Sequence, residues 1–309
     1  MVTYLLTGAT GNVGGACARF LLQAKCAGVR CLVRDPANEK AKALAELGAE
    51  LVSGDFADAQ SLRRALDGVD AALLACGNQP EQVALETAFI GAMAGSHKYL
   101  VKLSTCGAPG YCAADSPVEY GRWHAAIEAS LTSTEGLHWT VLQPNCFMQN
   151  HLGDVFGSLP HKALAYPRSA EQLETGAAAI VDTRDVGEVA ARLLLLPERS
   201  AHHGRKYHVC GPASWSVSAL ARLYESVLEL PPSAIHCAAD LTEADYASSL
   251  EKNAGFPRWL AAAVARSQTF FWAEGKLDYA SADAVRALHP NFRSMEEWVR
   301  EHAALVRFA

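Results

Sequence analysis

Residues 3–15 read TYLLTGATGNVGG and carry the residue types best able to do chemistry at a fixed spacing. Gly8, Gly11 and Gly14 recur every third residue, after the apolar run Tyr4-Leu5-Leu6 and ahead of a helical pattern at Val13, Cys17, Phe20, Leu21 and Leu22. Strand, glycine turn and helix in that order make a cradle for a dinucleotide pyrophosphate. Gly8 allows the tight turn at the strand end, Gly11 has no Cβ to hold a phosphate off the backbone, and Gly14 lets the helix close on the strand. The helix start, with Thr10, Asn12 and Val13 around Gly11, offers free N–H groups and a partial positive charge. The spacing is G-x-x-G-x-x-G and not the G-x-G-x-x-G of most dehydrogenases. A bare βα turn is the alternative; the place between strand and helix favours the cradle.

Positioning such a cradle takes alternating strands and helices, and the apolar pattern supplies them. Strands are expected at 29–33, 50–52, 69–74, 99–103 and 138–142. Helices fall between them at 38–47, 59–67, 80–94 and 117–133, two of them ended by Gly48 and Gly68. The expectation is an α/β fold, a doubly wound parallel Rossmann-like sheet with right-handed crossovers. Ligands of such sheets lie beyond the carboxyl ends of the strands. That rule selects Gly8 to Gly14, Arg34, Asp55, Ala75-Cys76-Gly77, Ser104-Thr105-Cys106 and Pro144-Asn145. After Asn150 the pattern loosens, with a short strand at 163–166. The core resumes at 179–183, followed by a helix at 185–196 and a strand at 206–209. Helices at 216–229, 242–254, 256–274 and 294–305 fill the rest. The division expected is a dinucleotide-binding core over 1–155, rejoined by 179–212, and a smaller, mostly helical substrate domain from 156–178 and 213–309.

The chain has 309 residues, half of them hydrophobic, ample for a large core. Its net charge of -6 is spread over mixed charges with no basic block, which argues against nucleic acid. No apolar run is long enough to span a membrane and no signal peptide is recognisable, so a cytoplasmic protein is expected. The nine cysteines (17, 26, 31, 76, 106, 112, 146, 210, 237) form no C-x-x-C pair and read as reduced thiols. The eleven histidines are scattered, with His202-His203 as a loop pair, and no metal site is expected.

The choice of dinucleotide turns on the end of the second strand. An acidic residue there holds the ribose hydroxyls of NAD, whereas a cation meets the extra phosphate of NADP. Strand two ends Leu32-Val33-Arg34-Asp35. Arg34 favours NADP(H); Asp35 is the counter-signal unless it only starts the turn with Pro36. Asp55 is placed to accept from the adenine amine, or else to cap the helix at 59.

The segments GATGNVGG, LVRDP, the GDF after strand three, RWHAAIEASL and LHWTVLQPNCFMQN together resemble the NmrA-like family of atypical short-chain dehydrogenases. The resemblance continues through VDTRDVGEVAA, SALARLYESVLE and SMEEWVREHAA, and so covers nearly the whole chain. It implies a Rossmann-like core, a small C-terminal domain and bound NADP(H), in a family of quinone reductases and of nucleotide-sensing regulators without catalysis. The wider superfamily uses Tyr-x-x-x-Lys, in which the tyrosine transfers the proton. Here Tyr120 is followed by His124, on one helix face but without a permanent charge. The resemblance therefore implies His124, Tyr120 and Ser104 as catalytic candidates, with a packing histidine, a surface aromatic and a strand-end cap as the plain alternatives. Cys106 reads as a small buried residue. Lys102 is read either as reaching the site from its wall or as lying at a sheet edge. Phe147 and Met148 either wall a flat substrate or pack the core.

The function expected is an NADPH-dependent reductase of a small quinone-like or carbonyl substrate. The rival is an NADP(H)-sensing regulator that acts through a protein partner. A sugar-nucleotide epimerase or dehydratase is disfavoured by the missing lysine. A homodimer is compatible with either reading.

Overall fold

The structure is a computed structural model that describes residues 2–25 and 28–308. Cys26, counted among the thiols above, lies outside them. The first half alternates strictly: β1 (Thr3–Leu6), α1 (Asn12–Ala24), β2 (Gly28–Val33), α2 (Glu39–Glu46), β3 (Glu50–Ser53), α3 (Ala59–Leu66), β4 (Ala71–Leu74), α4 (Gln82–Met93), β5 (Tyr99–Leu103), α5 (Glu119–Thr132) and β6 (His138–Pro144). Side chains start several of these helices. Asn38 accepts from the Lys40 N–H ahead of α2, and Asp58 from the Gln60 N–H ahead of α3.

Seven parallel strands form the main sheet in the order β3-β2-β1-β4-β5-β6-β9, where β9 is Arg205–Val209. The chain enters in the middle, winds outward to β3, and then returns past β1 to wind the other way. The reversal between β1 and β4 opens a crevice at the strands' carboxyl ends. Both faces of the sheet are covered, so alternate side chains serve different cores. Tyr4, Leu6, Cys31 and Leu73 pack under α1 and α8 (Thr183–Leu195). Leu5, Leu32, Ala72 and Leu74 pack under α3, α4 and α5, against Leu62, Phe89 and Ile127. Gly187 allows α8 to seat on α1: a Cβ there would stand 2.7 Å from the Val13 carbonyl and 2.6 Å from the Ala16 methyl.

A third core gathers the later elements around Met148, Tyr224, Phe271, Trp272 and Trp298. They comprise α6 (Leu152–Phe156), β7 (Ala163–Ala165), α7 (Ala170–Thr175), β8 (Ala177–Ala178), β10 (Trp215–Ser216), α9 (Val217–Val227), β11 (His236–Ala238), α10 (Glu243–Ala254), α11 (Arg258–Ser267) and α13 (Met295–His302), while α12 (Asp283–Leu288) packs on the first core through Val285. β7 pairs with β11, and β8 with β10. Three details differ from the sequence expectation. The helix expected at 256–274 ends at Ser267 and passes into a single π turn over Gln268–Trp272. At 179–183, where the core is expected to resume, Ile180 and Val181 are buried and Val181 makes an isolated parallel bridge to Phe147, and the strand before α8 is Ala177–Ala178. The short helices α6, α7 and α12 carry too few turns for an apolar period; α7 is set by the Ser169–Gln172 capping box. Among the described residues, no helix is long and apolar enough to cross a membrane.

Candidate functional site

The three glycines of the first turn have distinct duties. Gly8 adopts φ +61°, and a Cβ on it would meet the Ala75 carbonyl at 2.7 Å. A Cβ on Gly14 would stand 2.4 Å from the Gly8 carbonyl. The fold thus demands glycine at both. Gly11 is different: its φ of -86° suits any residue, and a Cβ there meets only the Gly8 carbonyl, at 3.2 Å. The free face above Gly11 is the open approach to the start of α1. Gly11 caps that helix with no side-chain hydrogen bond, so the first-turn N–H groups around Asn12 and Val13 have no side-chain cap. Thr7 ties this turn to the end of β4, donating to the Leu73 and Ala75 carbonyls and accepting from the Ala75 N–H at 2.8 Å.

A cavity of about 420 Å³ opens at the crevice. Seven of the expected residues line it: Gly8, Thr10, Arg34, Asp55, Ala75, Cys76 and Gly77. Leu32, Phe56 and Leu85 give it an apolar side, and Asn78 and Gln79 a polar one. Arg34 is exposed in this cavity and has no ion pair or hydrogen bond among the described residues. Asp35 is spent on the following turn, where it accepts from the Ala37 N–H at 2.8 Å. Asp58, not Asp55, caps α3, and Asp55 faces the cavity while accepting from the Ala57 N–H. The glycine cradle, the exposed cation and the apolar side fit a nicotinamide dinucleotide.

Behind the Asn78 wall lies a buried polar cluster that joins His124 and Lys102, both singled out in the sequence, with Gln82 and Glu86, which were not. Lys102 is fully buried in the interior strand β5 and pairs with the equally buried Glu86 of α4 at 2.8 Å. Its ammonium also donates to the Leu103 carbonyl and stands 3.4 Å from His124 Nδ1. On the other side of the ring, Nε2 lies 3.3 Å from Asn78 Oδ1 and 3.2 Å from the Gln82 amide nitrogen. Gln82 in turn donates to Glu86 at 2.8 Å. Burial, and then the charge of Lys102, hold the His124 pKa well below its usual value, so the ring is neutral at neutral pH. The expected sheet-edge alternative for Lys102 is therefore overturned: the strand is interior, paired on both sides, and the side chain points into this cluster.

The other catalytic candidates sit elsewhere. Ser104 donates to Glu128 at 2.5 Å, in a second buried cluster where Gln143 and Lys206 also reach that carboxylate, at 3.0 and 2.6 Å. Tyr120 turns into the third core, where its hydroxyl meets Tyr111 at 2.8 Å and Tyr111 meets Ser267. Burial pushes the Tyr120 phenol up to about 12. Pro144 ends β6, and the Asn145 side chain binds the Leu277 carbonyl at 2.9 Å. Met148 and Cys106 are buried in the third core, and Phe147 packs at the edge of the first. One clue to the Lys102 cluster was legible: Gln82 and Glu86 are polar at helical spacing on a face that the following strand covers.

This arrangement places the chain among the Rossmann-fold oxidoreductases that take a nicotinamide dinucleotide at the strand reversal. The chain belongs to the NmrA-like family, which it matches over residues 2–299. It is 33% identical over 218 residues to the NAD(P)H azoreductase of Xenophilus azovorans, covering 70% of this chain and 71% of that one. It is 27% identical over 265 residues to quinone oxidoreductase 2 of Escherichia coli, covering 85% of each. The NADPH complex of the latter enzyme superposes with a TM-score of 0.80 at 24% identity, over 96% of this chain and 99% of that one.

Proposed function

We propose that this chain is an NADPH-dependent reductase that passes hydride to a small quinone-like or carbonyl acceptor. The observation that carries the cofactor preference is Arg34, an exposed arginine in the cavity beside the glycine turn with no ion pair or hydrogen bond among the described residues. A guanidinium there suits the extra phosphate of NADP, while Asp35 is already occupied by the turn. Relatives named as an azoreductase and a quinone oxidoreductase support the acceptor class.

When bound, the nicotinamide supplies the hydride. The chain's own residues bind and orient. The open N–H groups of α1 and Thr10 hold the pyrophosphate, Arg34 the additional phosphate, and Asp55 the adenine amine. Ala75-Cys76-Gly77 close the wall. His124, held neutral, acts through Asn78, whose side chain it fixes at the cavity wall. Ser104 is held by Glu128 at the carboxyl end of β5. The reduced acceptor takes its proton from solvent, which suits a quinone because its reduced form needs no strong acid.

Steady-state NADPH oxidation across quinones, aldehydes and an azo dye tests this. Turnover with at least one quinone is expected. If none of these acceptors supports oxidation while NADPH still binds, the reductase reading falls and a nucleotide-sensing role replaces it.

A further inference from the structure

Arg168, between β7 and α7, is 2% exposed. Its Nη2 donates to Gln268 Oε1 at 2.7 Å, while Nε and Nη1 meet no acceptor among the described residues. No carboxylate pairs with it among the described residues. Its guanidinium lies 4.9 Å from the Trp272 ring and 5.7 Å from the Tyr166 ring. Rings satisfy the flat face of a guanidinium and leave the N–H groups at its edge open. The Trp272 indole N–H, itself buried, also lacks an acceptor. The open groups here are thus all donors, next to an uncompensated buried charge, and such a charge persists only at a cost. Cys146, two residues beyond the carboxyl end of β6, packs against the same core as Tyr166 and Trp272, which joins this cluster to the carboxyl end of the sheet.

The cover over the cluster is thin. The Asp240 N–H donates to the Arg168 carbonyl at 2.7 Å, and Tyr246 of α10 lays its ring 5.9 Å from that of Tyr166. α10 has no fully buried residue. Glu243 pins its first turn, accepting from Thr269 at 2.6 Å and pairing with Arg266 at 3.0 Å. A segment with so little buried surface opens at small cost.

We propose that Arg168 and Trp272 bind an oxyanionic group of the acceptor, a sulfonate or carboxylate, admitted when residues 240–254 lift. This names the substrate class of the reductase proposed above and rests on that reading. Three open donors match an oxyanion, and the rings of Trp272, Tyr166 and Tyr246 suit a flat aromatic body attached to it.

The test pairs a charged with an uncharged probe. Calorimetry should show naphthalene-2-sulfonate binding to the unmutated protein about ten- to a hundred-fold tighter than naphthalene-2-carboxamide, the range for charge-assisted hydrogen bonds. Arg168→Gln should abolish that ratio. In turnover, 1,2-naphthoquinone-4-sulfonate should show a lower KM than 1,2-naphthoquinone, and the variant should lose the difference. Should the variant fail to fold, amide exchange on the unmutated protein decides: the sulfonate should slow exchange across 240–254, and the carboxamide should not. Equal binding of the two probes, a ratio that survives Arg168→Gln, or unchanged exchange over 240–254 would each overturn the proposal. Absent turnover with intact, Arg168-dependent sulfonate binding would sink the reductase reading and leave the anion site standing.

Discussion

Lys102 Nζ stands 3.4 Å from His124 Nδ1, and Glu86 holds the same ammonium at 2.8 Å. An ammonium can only donate, so Nδ1 accepts and the ring proton sits on Nε2, facing Asn78 Oδ1, while the nearby Gln82 amide donates to Glu86 and not to the ring. The charge in the β5 strand therefore selects the tautomer of a histidine on α5, and through it the pose of an asparagine in the cavity wall. Nitrogen-15 NMR of the imidazole should show an unprotonated Nδ1 and a protonated Nε2 at neutral pH. A protonated Nδ1 would refute this account.

The same burial gives His124 a signature in stability. Its folded pKa lies well below the unfolded value of 6.5, so the unfolded chain binds the proton first. Its contribution is complete above pH 6.5 and drains away as pH falls below that value. Urea unfolding between pH 7.5 and 5 should show a shallower decline for His124→Gln than for the unmutated chain. Parallel curves would mean that His124 is protonated in the fold. Glu128 acts in a lower window. Burial opposes its ionisation, but Lys206 and Ser104 outweigh that and hold its carboxyl below 4.5, so its contribution is lost only as pH falls beneath that value.

Breaking the buried ion pair should be costly, and replacing it whole should not. Lys102→Met leaves Glu86 buried and unpaired and is expected to lose about 3–5 kcal/mol. The double variant Lys102→Met with Glu86→Leu should recover most of that in denaturant titration. A double variant as unstable as the single one would show that the pair is needed for more than charge balance.

Two glycines of the turn should separate folding from binding. Gly14→Ala drives a methyl into the Gly8 carbonyl, 2.4 Å away, and should cost about 1–3 kcal/mol, the scale of overpacking. Gly11→Val has only a 3.2 Å contact to accommodate, so the melting temperature should hold while NADPH affinity is lost. Near-normal binding by Gly11→Val would move the cofactor away from this turn.

Arg34→Ala should remove the preference for NADPH over NADH. One charge-assisted contact is worth about 1.5–3 kcal/mol, so about ten- to a hundred-fold in affinity. Calorimetry on the unmutated protein that gives equal affinities for the two cofactors would remove Arg34 from phosphate recognition.

The parallel sheet and the glycine turn were legible because each rests on local pattern: apolar strands, amphipathic helices and glycines at their junctions. Arg34 and Asp55 followed from a positional rule about strand ends. The Lys102–Glu86–His124 cluster was hidden because its members come from β5, α4 and α5, and only packing brings them together. Tyr120 and His124 share a helix face, yet that face spans two environments. Tyr120 joins the third core while His124 meets α4, and helical spacing alone cannot divide a face between neighbours. Arg168 was invisible for the opposite reason. A charged residue in a loop reads as solvated, and its burial is visible only after the later helices have folded over it.

The seat of α8 on α1 has a consequence for how the molecule is made. Gly187 rests on the backbone of Val13, in the first turn of α1. Until residue 187 has left the ribosome, the newly made N-terminus carries a bare apolar helix flank with nothing to lie against. The glycine turn, though encoded first, is therefore not completed until more than half of the chain has been made, and a nascent chain stalled before α8 exposes an apolar flank open to aggregation.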